Sequence, residues 1–250
     1  MAPAAMLAFL GGLTVGSFVT VVAHRVPRGE SIVGPRSCCP HCGRQIAAYD
    51  NVPVASWLML RGWARCCGEP ISPRYPLTEL TLGALYAAAV LVLWDEPWEV
   101  ALGLVFVTVL TAITLTDIER RIIPNKILLV GAVAGAAIAA VGDPGSLPER
   151  AIAAAAAGGV LFAAALAYPR GMGLGDVKLA ATMGLFLGRN VAPAVLVALL
   201  AGSLVGLAMI AREGVAARKR AIPFGPFLAL GGVVGLLYGD ELVSWYLGTF

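Results

Sequence analysis

The chain has 250 residues, 59% of them hydrophobic and 13% charged, with a net charge of +3. A soluble domain carries about 25% charged residues, so the composition excludes an ordinary soluble globular protein. The net charge says little until the charges are placed along the chain; no nucleic-acid partner is expected.

The mean hydropathy of +0.83 predicts a polytopic, all-α membrane protein whose architecture is set by the bilayer. Apolar segments fall at 5–23, 77–94, 98–116, 126–142, 150–168, 177–188, 191–211 and 223–247. A span needs about 20 residues to cross a core of about 30 Å. The sequence therefore predicts about eight transmembrane helices, with 177–188 the short one. No basic residue precedes the first apolar stretch; His24, Arg25 and Arg28 follow it. That order predicts a retained first span with its N-terminus outside, not a cleaved signal.

Charge placement tests the topology. Loops 24–76, 117–125, 169–176 and 212–222 then share the cytoplasmic side. With Lys126 and Lys178 at adjoining helix ends, they hold 16 of the 18 Lys and Arg residues. Only Arg150 and Arg189 fall on the other side, as the positive-inside rule expects. The chain divides into a first transmembrane helix (1–23), a cytoplasmic cysteine-rich segment (24–76) and a membrane-embedded portion (77–250).

Segment 24–76 holds all five cysteines: Cys38, Cys39, Cys42, Cys66 and Cys67. Cys39-Pro40-His41-Cys42-Gly43 is a C-x-x-C knuckle, and Arg65-Cys66-Cys67-Gly68 follows. Two thiol pairs so separated suggest a small zinc ribbon. A cytoplasmic location disfavours disulfides, and a segment this short benefits from a metal staple. The second pair is imperfect, because Ala64 occupies the first position of the expected knuckle. Cys38, Cys66 and His41 are the candidates for the fourth ligand beside Cys39, Cys42 and Cys67.

Two acids stand at the margins of spans. Asp117 closes the third segment and Asp176 opens the sixth, in Gly173-Leu174-Gly175-Asp176-Val177-Lys178. Ionisable groups beside a span are costly and mark functional sites. On one side of the membrane they suggest a carboxylate pair that activates water, one acting as general base and the other as acid. Gly173 and Gly175 let the backbone approach a substrate strand. Lys178, two positions from Asp176 on a helix, does not share its face and reads as an anchor with a substrate-contact alternative. The competing reading makes both aspartates solvated helix-end residues, with Asp176 capping its helix.

The motif Gly173-x-Gly175-Asp176-x-Lys178 resembles the G-x-G-D-x-K motif of the type IV prepilin peptidases. Asp117 with Ile123-Pro124 is similar to that family's first aspartate motif. So are Gly16-Ser17-Phe18, His24-Arg25-Val26-Pro27, Asp50-Asn51-Val52-Pro53, Ser56-Trp57-Leu58 and Ile71-Ser72-Pro73-Arg74-Tyr75-Pro76 with Glu79 to its other signatures. The resemblance spans nearly the whole chain in order. It implies an aspartic endopeptidase, with Asp117 and Asp176 catalytic, that removes the basic leader of type IV prepilins or pseudopilins at the cytoplasmic face of the bacterial inner membrane. It also implies N-methylation of the new N-terminus with S-adenosylmethionine. By the family's pattern Cys39, Cys42 and Cys67 match zinc ligands, and Ala64 stands where a fourth cysteine is expected. Membrane lipids are expected partners of the basic loops. The alternatives are a related G-x-G-D intramembrane protease on other membrane peptides, a transporter using the acids as a relay, and a non-catalytic scaffold.

Overall fold

The computed structural model describes residues 1–168, 171–214 and 222–248. Among the described residues there is no β-strand. The helices are α1 (Ala2–Arg25), α2 (Ala55–Met59), α3 (Arg74–Val92), α4 (Pro97–Arg120), α5 (Asn125–Gly142), α6 (Leu147–Ala167), α7 (Leu174–Leu187), α8 (Val191–Glu213) and α9 (Gly225–Gly248). Helix is what a bilayer demands, because each backbone N–H and C=O must find its partner within the segment.

Among the described residues, seven helical stretches are long and apolar enough to cross a membrane. One of them, Leu174–Glu213, has 40 residues and contains two helices. Gly188, at φ +54° and ψ −135°, ends α7, and a single 3-10 turn, Gly188–Asn190, leads into α8. The 14 residues of α7 rise only about 21 Å, short of a full hydrocarbon core. The eight apolar segments of the sequence thus reappear as eight helices, one of them too short to span alone. The cluster Arg218-Lys219-Arg220 and Arg170, which contribute to the charge bias, lie outside the described residues.

The chain forms two compact units, Met1–Trp94 and Asp95–Phe250. In the first, α1 packs along α3. A Cβ at Gly12 would meet Gly83 Cα at 2.7 Å and one at Gly16 would meet Glu79 Cα at 2.8 Å, so the two helices touch backbone to backbone. Residues 26–73 between them are held by the signature residues. Buried Ser56 donates to Tyr49 O at 2.9 Å and accepts from Val52 N–H at 2.9 Å. Trp57 Nε1 donates to Ile71 O at 3.0 Å, and Arg65 grips Asp50 with both Nε and Nη2. Glu79, buried in α3, accepts the N–H of Val54 at 2.7 Å. Val54 sits at φ +60°, a conformation costly for a β-branched residue.

In the second unit α4 lies centrally, packing against α5, α7 and α9. Phe106 of α4 stacks on Phe186 of α7 with centroids 5.0 Å apart. Small residues again set the close approaches. A Cβ at Gly184 would meet Ala154 Cα at 2.5 Å, between α6 and α7, and one at Gly231 would run into Ala194 O, between α8 and α9. Among the described residues, Gly206 faces nothing within 4 Å.

Arg150 and Arg189, which the charge pattern of the sequence sets apart from the other basic residues, are both paired. Arg150, 6% exposed, bonds Glu99, Ser146 Oγ and the Phe186 carbonyl near the end of α7. Arg189 meets Asp240 at 3.1 Å, while its backbone N–H donates to Glu149 at 2.9 Å.

Candidate active site and cysteine turns

Asp117 occupies the last turn of α4, which ends at Arg121 in the left-handed region, φ +55°, with the Arg121 N–H donating to the Asp117 carbonyl at 2.8 Å. The helix dipole disfavours a carboxylate at this end. The structure supplies the compensation from another helix. The N–H of Gly225, first residue of α9, donates to Asp117 Oδ2 at 2.8 Å. Helix N-termini carry such unpaired donors and a favourable partial charge for an anion. Gly225 has to be glycine here, since a Cβ would lie 2.7 Å from Asp117 Oδ2.

Asp176 sits in the first turn of α7, three residues after the cap residue Gly173. Its Oδ2 accepts the Gly173 N–H at 3.2 Å. This is half of a capping box, because glycine has no side chain to complete the reciprocal bond. Gly173, not Asp176, is thus the cap residue; Asp176 only returns a bond to it from the first turn, and that bond does not account for its burial. Asp117 is 5% exposed and Asp176 9% exposed, and the two carboxylates are electrostatic neighbours. Water reaches them less freely than their helix-end positions suggest. Gly175 lets the start of α7 lie against the Ile123-Pro124 segment that follows Asp117, since a Cβ there would come within 3.0 Å of Ile123 Cβ.

Lys178 is turned away from this pair. It lies about 200° around α7 from Asp176 and donates to Asn125 Oδ1 at 3.0 Å. There it lines a groove of about 400 Å³ between α5 and α7, with Lys126 and Thr182. Sequence reasoning missed Gly225 and Asn125. Gly225-Pro226 ahead of an apolar run signals a helix start, but nothing in the sequence ties it to an aspartate more than a hundred residues earlier.

In the first unit, Cys39, Cys42, Cys66 and Cys67 converge, their sulfurs all within 4.8 Å of one another. Cys38 is exposed and outside this cluster. The N–H of Cys42, helped by that of His41 and opposed by burial, pulls the Cys39 thiol down to about 6. That favours the thiolate, the form that binds metal. A hydrogen bond with Cys42, then burial, pushes Cys66 up to about 12. Four converging thiols can hold a metal ion, and an all-sulfur set of this kind suits zinc.

The comparisons with known proteins agree with this division. The Bacterial Peptidase A24 N-terminal domain matches residues 10–93, and the Type IV leader peptidase family matches residues 104–211. A prepilin leader peptidase/N-methyltransferase of Aeromonas hydrophila is 36% identical over 274 residues, covering 98% of this chain and 94% of that protein. One of Bacillus subtilis is 36% identical over 242 residues, covering 96% of each. One of Myxococcus xanthus is 38% identical over 218 residues, covering 84% of this chain and 64% of that protein. No solved structure matches. The chain is a multi-pass membrane protein with a helical peptidase unit, and it belongs to the type IV leader peptidase family.

Proposed function

We propose that this protein is a membrane-embedded aspartic endopeptidase that removes the basic leader of type IV prepilins or pseudopilins. The observation that carries the reading is the burial of Asp117 and Asp176 together, each held through one carboxylate oxygen by a backbone N–H at a helix start. Two carboxylates around one water share a proton. One takes a proton from the water as it attacks the scissile carbonyl. The other polarises that carbonyl and then protonates the departing amine. Their titration belongs to the pair, so neither role is fixed on one residue. Gly173 and Gly175 give the substrate strand backbone-close access. Lys178 is read as an anchor of α7 on α5, outside the reacting group.

A prepilin presents an apolar helix just past its leader, which can lie in the bilayer with the scissile bond at the interface. By the charge bias, that interface is the cytoplasmic face of the bacterial inner membrane, with anionic lipid beside the basic loops. The relatives' names add N-methyltransferase. We extend that activity to this chain, with S-adenosylmethionine as methyl donor to the new N-terminal amine. The cysteine turns are read as a structural zinc site that would stiffen residues 26–73. Cys39, Cys42 and Cys67 would be three of its ligands. The test is cleavage of a purified prepilin in detergent, followed by transfer of a labelled methyl group to the product. A folded protein that cleaves no prepilin would contradict the reading.

A further inference from the structure

The cysteine segment is built from the same turn twice. In the first turn the Cys39 N–H donates to Arg44 O at 2.8 Å, and the Gly43 N–H donates to Cys39 O at 2.9 Å. Cys38 and Gln45 form an antiparallel bridge around it. In the second turn the Ala64 N–H donates to Glu69 O at 2.8 Å, and the Gly68 N–H donates to Ala64 O at 2.7 Å. Trp63 and Pro70 form the matching bridge. Gly43 and Gly68 share φ +70°. The register is therefore fixed: residue 39 matches 64, 41 matches 66, 42 matches 67 and 43 matches 68.

This register exposes a substitution within the second turn. Where the first turn offers the Cys39 sulfur, the second offers the methyl of Ala64, which cannot bind metal. Yet the second turn still contributes two sulfurs to the cluster. The extra one is Cys66, at the position that His41 holds in the first turn. Cys66 Sγ lies 3.4 Å from Cys42 Sγ and 3.9 Å from Cys67 Sγ, and Cys39 Sγ lies 3.7 Å from Cys67 Sγ. A tetrahedron of thiolates about 2.3 Å from zinc has sulfur–sulfur edges of about 3.8 Å. All three separations fall near that edge. Cys38 and His41, the other candidates, do not join the cluster.

We propose that Cys66 takes over the ligand position lost at Ala64, so that Cys39, Cys42, Cys66 and Cys67 form a four-thiolate zinc site. The assignment rests on the zinc reading above and specifies its fourth ligand. Adjacent ligands close a smaller chelate ring than a C-x-x-C pair and tie down less of the turn. Moving the thiol back to residue 64 places it where the backbone already repeats the Cys39 geometry.

The test uses the full chain in detergent as wild type, Cys66→Ala, Ala64→Cys/Cys66→Ala, Cys38→Ala and His41→Gln. Each is loaded with Co²⁺ alone, whose sulfur charge-transfer absorption counts thiolates, and then competed with Zn²⁺ under a chelator. We expect Cys66→Ala to lose about a quarter of that absorption and to bind zinc on the order of 10-fold more weakly. Ala64→Cys/Cys66→Ala restores both, and Cys38→Ala and His41→Gln match wild type. If Cys66→Ala matches wild type, or if Cys38→Ala or His41→Gln reproduces its loss, the ligand assignment is wrong while the zinc reading stands. If wild type binds neither metal, the zinc reading fails and the assignment fails with it. The double variant keeps the test decisive even if Cys66→Ala misfolds.

Discussion

The backbone N–H of Gly225 donates to Asp117 Oδ2 at 2.8 Å, joining the last turn of α4 to the first turn of α9. The contact compensates a carboxylate placed at the unfavourable end of its own helix. It leaves no room for a side chain at 225, because a Cβ would come within 2.7 Å of the same oxygen. Gly225→Ala should therefore push the Asp117 carboxylate aside. A shift of about 1 Å can cost about 100-fold in rate. The expected result is a fall of that order in kcat, with helical content by circular dichroism unchanged. Retention of the wild-type kcat would show that the bond does not position Asp117.

Lys178 and Asn125 bond at 3.0 Å across α5 and α7. If Lys178 only anchors α7, Lys178→Gln and Asn125→Ala lower prepilin cleavage by similar, modest factors, and the double variant is no worse than either single one. If Lys178→Gln loses far more than Asn125→Ala, then Lys178 touches substrate. Steady-state kinetics on the four proteins decides between these roles.

Arg150 is buried and joins Glu99 of α4 to the C-terminal carbonyls of α7. Removing one member of such a buried pair leaves the other charge uncompensated, at a cost of about 3 kcal/mol or more. Arg150→Met should lower the unfolding temperature in detergent clearly. Arg189→Met, which removes an exposed pair with Asp240, should barely change it.

Gly184→Leu and Gly206→Leu separate packing glycines from incidental ones. A side chain at 184 collides with the Ala154 backbone, whereas one at 206 meets nothing within 4 Å among the described residues. Overpacking costs about 1–3 kcal/mol or more, so Gly184→Leu should destabilise the protein and Gly206→Leu should leave its unfolding temperature unchanged.

Much of this architecture was legible in the residues. The helix content followed from apolar runs that only helices can carry through a bilayer. The aspartates stood out because acids beside spans are rare. The cysteines stood out through their knuckle spacing. What stayed hidden depended on distance along the chain. The Gly225 donor to Asp117 and the Asn125 acceptor for Lys178 come from other helices, and no local pattern pairs them. The burial of Asp117 and Asp176 was hidden for the same reason, since it comes from packing among α4, α7 and α9. The role of Glu79 was visible only as a motif position. The structure shows it holding Val54 N–H and bracing the segment before α3. Gly12, Gly16, Gly184 and Gly231 meet backbone of a neighbouring helix, whereas Gly206 meets nothing within 4 Å among the described residues; a glycine in the sequence does not say which face of its helix meets a neighbour.

The most direct test is cleavage of a purified prepilin by wild type, Asp117→Asn and Asp176→Asn in detergent. Each variant keeps the size of the side chain and removes its acid–base function. The account predicts that both variants fold, bind prepilin and fail to cleave it, while wild type cleaves. Full activity in either folded variant would contradict the carboxylate pair.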